Sequence, residues 1–205
     1  MVRVILVSDT HLSRTAPEAE ANWEAVLRHV GVTAPDVVIH LGDLTLDGAR
    51  SPHDLAEGRR QLDRPPAPWR AVPGNHDVGE NAGGGAPDDR TVDAARQQRW
   101  LDIVGADHWA ATVSRWTLLA VNAQLLGSGL VAETAQWAWL EEQLSGLREN
   151  QPVALITHKP VTATGAELAA SPFYRFWPAP GRDRLGALVK DRPPALVLSG
   201  HVHQY

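Results

Sequence analysis

Four apolar runs along the chain share one grammar: each reads as a strand and ends abruptly in polar side chains able to hold a cation. They are residues 2–8 before Asp9, 36–41 before Gly42-Asp43, 153–157 before His158, and 195–199 before Gly200-His201. A shorter run, 69–72, leads into Pro73-Gly74-Asn75-His76-Asp77. Continuous apolar runs of this sort predict strands buried on both faces. Between them the apolar spacing turns helical. Residues 17–30 carry Trp23, Val26, Leu27 and Val30, and 133–147 carry Trp137, Leu140, Leu144 and Leu147, with both tryptophans read as core. Strand alternating with helix predicts a largely parallel α/β sheet. In such sheets ligands gather beyond the carboxyl ends of the strands, where every polar cluster above falls. Residues 109–123 break the pattern: they read as two adjoining strands around Ser114-Arg115, opening a second, more antiparallel sheet packed on the first.

Length and composition narrow the picture. A chain of 205 residues fills one sizeable core, so residues 1–205 are expected to form a single domain. The net charge of -5 argues against stable nucleic-acid binding, which relies on clustered cations. With no cysteine there is no disulfide framework, thiolate metal site or cysteine nucleophile, so any metal must be held by oxygen and imidazole. Residues 2–7 are too few for a signal-peptide core or a membrane span, which points to a soluble, cytoplasmic protein. Gly83-Gly84-Gly85-Ala86-Pro87 reads as a surface loop.

Taken singly, the polar clusters are ambiguous. Asp9-Thr10-His11 can be a turn with a helix cap, and Gly42-Asp43 and Gly74-Asn75-His76-Asp77 can be bends. If the backbone stays extended, Asp9 and His11 leave one face together and can meet one ion. Conjunction decides between the readings. Each cluster supplies a hard oxygen or an imidazole and none supplies sulfur, a donor set suited to Zn, Mn or Fe rather than Ca. Five of the nine histidines fall in these clusters, which isolated core histidines would have no reason to do.

The ordered set Asp9-Thr10-His11, Gly42-Asp43, Gly74-Asn75-His76-Asp77, His158 and Gly200-His201-Val202-His203 resembles the five-block signature of the calcineurin-like metallophosphoesterases. Ser8, Leu12, Val72-Pro73 and Gln204 around these blocks are similar to the bacterial branch near class III cyclic-nucleotide phosphodiesterases. The resemblance implies a four-layer α/β/β/α sandwich of two mixed sheets flanked by helices, with a dimetal site at the strand carboxyl ends. It also implies that Asp9, His11 and His203 hold one ion, that Asn75, His158 and His201 hold the other, and that Asp43 bridges them. The implied cofactors are two divalent or mixed-valence ions, Fe, Mn or Zn. A hydroxide between the metals would be the nucleophile, and His76 the catalytic acid for the leaving group.

One position departs from the pattern. Many relatives carry an acid three residues after the bridging Asp to orient the histidine matching His76; here that position is Leu46, and the acid, Asp47, comes one later. Either the turn absorbs the shift or another group, such as Asp77, does the orienting. Leu46 also counts against a purple acid phosphatase, which would place a metal-ligating tyrosine there. Relatives usually continue past the final histidine pair, whereas this sequence stops two residues after His203, so the domain is expected to lack C-terminal strands.

Substrate is less legible. Residues 171–178 lie between His158 and the last histidines and can overhang the metals, with Arg175 meeting a phosphate and Trp177 stacking on a base, or can be a loop pinned by its own aromatics. The expected partner is a small phosphoester, first of all a phosphodiester such as a cyclic nucleotide. A phosphomonoester or phosphoprotein is the runner-up, and a non-catalytic metal-binding scaffold is the alternative of another class.

Overall fold

The computed structural model describes residues 2–83, 87–162 and 175–203. Its strands and helices, in chain order, are β1 (Val4–Val7), α1 (Pro17–Thr33), β2 (Val37–His40), α2 (Pro52–Leu62), β3 (Trp69–Ala71), α3 (Asn75–Val78), α4 (Ala94–Ile103), β4 (Trp109–Val113), β5 (Trp116–Ala120), α5 (Val131–Ser145), β6 (Val153–Ile156), α6 (Ala179–Leu188) and β7 (Leu196–Leu198). Every strand expected from the apolar runs is present, each slightly shorter than its run. Helix α1 begins on Pro17, whose missing N–H costs nothing at a helix start. It continues to Thr33, beyond the expected end at Val30, and stops where Ala34 turns left-handed and its N–H returns to the Val30 carbonyl. Helices α2 and α4 are capped by Ser51 and Asp93, whose side chains accept the amides of Asp54 and Arg96.

Strands β1, β2 and β3 form one sheet in that order, parallel throughout. The second sheet runs β4-β5-β6-β7 and is mixed: the β4–β5 hairpin is antiparallel, and β6 and β7 join it in parallel. Three apolar cores set the layers. Trp23 of α1, Leu55 and Leu62 of α2 and Trp100 of α4 pack on the outer face of the first sheet. Ile39, Trp109, Leu118, Ala154 and Ile156 meet between the sheets. Trp137 and Leu140 of α5 with Leu185 of α6 cover the outer face of the second, over Leu119, Val153 and Leu155. The alternation of Val153, Ala154, Leu155 and Ile156 between the last two cores is the period-2 geometry of a strand buried on both faces.

Burial on both faces does not hold for β1 and β7. Val4 and Leu6 are 37% and 41% exposed, and Leu196 and Val197 are 44% and 46% exposed. Both strands lie at the end of their sheet among the described residues, so each has a strand neighbour on one side alone. No described helix is long and apolar enough to cross a membrane.

Candidate metal centre

Five strands, β1, β2 and β3 of the first sheet and β6 and β7 of the second, aim their carboxyl ends at one place. Asp9 and His11 follow β1, Asp43 follows β2, Asn75 and His76 open α3 after β3, His158 follows β6, and His201 and His203 follow β7. The ligand atoms of Asp9, His11 and His203 lie within 4.8 Å of one another, as do those of Asp43, His158 and His201, and a third set of His11, Asp43 and His76 joins the two. Asn75 enters the second cluster, its Oδ1 3.3 Å from His158 Nε2. All seven candidate ligands and His76 are thus brought together.

The backbone that does this is not the extended one expected for Asp9 and His11. Of the eight non-glycine residues with positive φ among the described residues, five are candidate ligands: Asp9, His11, Asp43, His201 and His203, at 45° to 75°. Left-handed backbone costs about 1 kcal/mol or more per residue, so its concentration here marks a locally constrained site. Close packing adds a second constraint: a Cβ on Gly74 would collide with the Asp43 carboxylate, and one on Gly200 with Asp9 and Ser8. The bends read from these glycines are therefore clearances for the neighbouring ligand.

Donor chemistry fits cations. His158 Nδ1 lies 2.9 Å from the Leu41 carbonyl, which can only accept, so Nδ1 carries the proton and Nε2 faces the cluster. There Nε2 meets Asp43 Oδ2 at 3.2 Å and His201 Nδ1 at 3.2 Å. His11 Nε2 and His203 Nε2 face each other at 3.4 Å, and His203 Nε2 is 3.2 Å from Asp9 Oδ1. Imidazole nitrogens turned toward one another and toward carboxylates form a ligand shell once the rings are neutral. The His11 Nδ1 atom is buried without a hydrogen-bond partner. Asp43 belongs to two of these sets, with His158 and His201 and with His11 and His76, so it is the carboxylate that would link ions held by the two clusters.

Electrostatics agree. Burial pushes the Asp43 carboxyl up, but the charge and hydrogen bond of His158, with help from His76, outweigh it and hold it well below the usual range. Burial likewise opposes a proton on His158, yet Asp43 and Asp9 prevail and raise it to about 9. His11 is lowered, chiefly by burial.

Three supporting groups were not legible as such in the sequence. His40 is fully buried and pushed down to about 4 by desolvation, so it stays neutral. Its Nδ1 accepts from Gly42 N at 3.2 Å, its Nε2 donates to Thr10 Oγ1 at 2.9 Å, and Thr10 Oγ1 donates to the Leu44 carbonyl at 3.0 Å. Asp77 is also fully buried and accepts from Leu44 N, Thr45 N, Thr45 Oγ1 and Gly74 N, tying the loop after Asp43 to the loop before Asn75. Burial, then the Asp43 charge, raises Asp77 to about 6. The Leu46 carbonyl, 2.7 Å from His76 Nδ1, orients His76 and turns its Nε2 away from the backbone. Neither acid offered for that role takes it: Asp47 pairs with Arg50 at 2.9 Å, and Asp77 faces the loops.

The expectation for Trp177 does not hold. Its ring is 1% exposed, packs edge-on against Trp137 and donates to Thr157 Oγ1 at 3.0 Å, because the aromatic closes the core under α5 and α6 instead of walling a cavity. Arg175 is exposed and lines neither of the cavities beside the histidines. Residues 171–174 of the expected wall, like 84–86 of the glycine loop and Gln204, lie outside the described residues.

Comparison with known proteins places this arrangement. The chain matches the family described as calcineurin-like phosphoesterase over residues 2–205. No curated protein sequence matches it. Among solved structures, a purple acid phosphatase from yellow lupin seeds superposes with a TM-score of 0.68 at 16% identity, over 98% of this chain and 38% of that one. A dimetal phosphatase from Danio rerio gives 0.63 at 13% identity, over 98% of this chain and 82% of that one. GAP50, the anchor in the inner membrane complex of Plasmodium, gives 0.64 at 15% identity, over 98% of this chain and 65% of that one. The chain thus spans well under half of the lupin enzyme, and identities this low establish the shared fold alone. The match over nearly its whole length shows that the chain belongs to the calcineurin-like phosphoesterase family.

Proposed function

We propose that the protein is a dimetal-dependent hydrolase of small phosphate esters, phosphodiesters first, with cyclic nucleotides among the candidates. The observation that carries this reading is the convergence of seven oxygen and imidazole donors on two adjoining clusters linked through His11, Asp43 and His76. Fe, Mn and Zn all suit such donors. When bound, two such ions supply Lewis-acid polarisation of the phosphoryl oxygens and an acidified water as nucleophile.

The remaining work falls to the chain. Its Leu41 and Leu46 carbonyls fix the tautomers of His158 and His76. His76 lies with its ring centroid 4.6 Å from that of His11, and with its Nδ1–H held by the Leu46 carbonyl, the imidazolium form can give its Nε2 proton to a departing alkoxide at the edge of the cluster. The net charge of -5 favours a small ester over a nucleic acid, in keeping with a cytoplasmic metabolite as substrate.

The test is turnover of bis(p-nitrophenyl) phosphate and p-nitrophenyl phosphate by Mn-loaded protein. A higher kcat/KM on the diester supports the diesterase reading. The reverse order assigns a monoesterase or phosphoprotein phosphatase on the same residues, and turnover of neither sinks the enzyme. A non-catalytic metal-binding scaffold draws its support from the Plasmodium neighbour described as an anchor. Retention of His76 within reach of the cluster argues against it, since a scaffold has no use for an acid there.

A further inference from the structure

A cavity of about 590 Å³ opens beside the metal centre, on the side of Asn75 and His76. Since His76 is the group that protonates the leaving oxygen in the proposed reaction, this cavity is where a leaving group would sit. Its charges are unequally compensated. Arg50 is paired with Asp47 at 2.9 Å. Glu80 receives the buried Lys159 Nζ at 2.8 Å. Asp54 sits in the first turn of α2, where the helix end offsets a negative charge, and accepts from Ser13 Oγ at 3.2 Å. Arg90, which also lines the cavity, has no ion pair among the described residues.

The position of Arg90 is built into the fold. Glu80 N donates to the Arg90 carbonyl at 2.8 Å, and Arg90 N donates to the Pro87 carbonyl at 2.8 Å. On either side of it, the Arg96 guanidinium holds the carbonyls of Asp89 and Thr91, while its Nε donates to the Ala49 carbonyl at 3.0 Å. One arginine of α4 thus clamps the segment bearing Arg90 to the loop bearing Arg50, both of which line the cavity.

We infer that this cavity selects phosphate esters whose leaving group carries a second anionic group, a carboxylate or phosphate, and that Arg90 is the residue that reads it. The inference rests on the phosphoesterase reading above and names its substrate class. An unpaired guanidinium offers a fork of N–H donors to such an anion. A second cavity wall cation, Arg50, is already held by Asp47, which leaves Arg90 to discriminate.

The experiment compares methyl 4-nitrophenyl phosphate with methyl 3-carboxy-4-nitrophenyl phosphate, and the two corresponding monoesters, on Mn-loaded protein. The wild-type protein is expected to show about a tenfold higher kcat/KM for the carboxylated ester, expressed in KM, in line with one charge-assisted contact. Arg90→Gln is expected to abolish that ratio and Arg90→Lys to keep part of it, while Arg28→Gln, which removes the same charge from α1, leaves it in place. A wild-type ratio near one, or a ratio that survives Arg90→Gln, overturns the inference. In parallel, calorimetric titration with the inert phenylphosphonate and 3-carboxyphenylphosphonate reads the same preference without turnover. If no ester is hydrolysed yet the carboxylated phosphonate binds more tightly and loses that advantage in Arg90→Gln, the site stands and the enzymatic reading falls. If the esters turn over and neither assay shows a preference, only the site falls.

Discussion

A backbone carbonyl cannot take up a proton, so the Leu46 oxygen behind His76 orients the ring without sharing its charge. In the proposed reaction His76 gives a proton to the leaving oxygen, and its worth should then depend on how badly that oxygen needs one. Replacing it by Asn is expected to lower kcat by about 10²- to 10³-fold on an alkyl ester and far less on a p-nitrophenyl ester, with two metals per chain retained by elemental analysis. Gly74→Ala should do the opposite, losing metal because the new methyl collides with Asp43. At this scale the convergence of the candidate ligands was legible, because oxygen and imidazole donors at five strand ends have few other uses. What held them was not. His40, at the end of β2, reads as one more strand residue until Thr10 and the Gly42 amide are seen around it, and the Leu46 carbonyl leaves no trace in a side-chain pattern.

Among the elements, the loops after β2 and β3 behave as one piece. Asp77 accepts four hydrogen bonds from them, and Arg96 and Arg99 of α4 hold the carbonyls of Ala49 and Gly48 behind. Asp77→Ala would leave three buried amides without an acceptor. At 1–3 kcal/mol each, a loss of about 3 kcal/mol or more is expected, measurable as a lower urea midpoint. The apolar runs gave all seven strands and two long helices, α1 and α5, correctly placed. Helices α2 and α4 escaped because they bury little: α4 has Trp100 alone as a fully covered residue, and in α2 a glycine, Gly58, lies in the interface beside Leu55 and Leu62. Their apolar stripes are too sparse to stand out, and packing against the first sheet, not periodicity, fixes them.

In the whole molecule, the first sheet supplies Asp9, His11, Asp43 and Asn75, and the second supplies His158, His201 and His203. The centre therefore joins the sheets, and its protonation couples to their stability. In the metal-free protein His158 is raised to about 9 from an ordinary value near 6.5, so the folded state keeps a proton that the unfolded chain releases between those values. Stability from this group is full below pH 6.5 and is lost as the pH rises through about 9. Urea midpoints taken in chelator at pH 6.5 and pH 9 should fall with pH, and His158→Gln should flatten that slope. Metal requires the neutral ring, so affinity should climb across the same range. The left-handed turns at Asp9, His11, Asp43, His201 and His203 carry one last implication. A backbone bent against its preference at five neighbouring candidate ligands is a cocked latch: bound ions would help to keep it set, and departure of either should let strands from both sheets move toward easier angles. Ion loss should then be all-or-none, with chelator titration passing from two metals per chain to none without a singly loaded plateau.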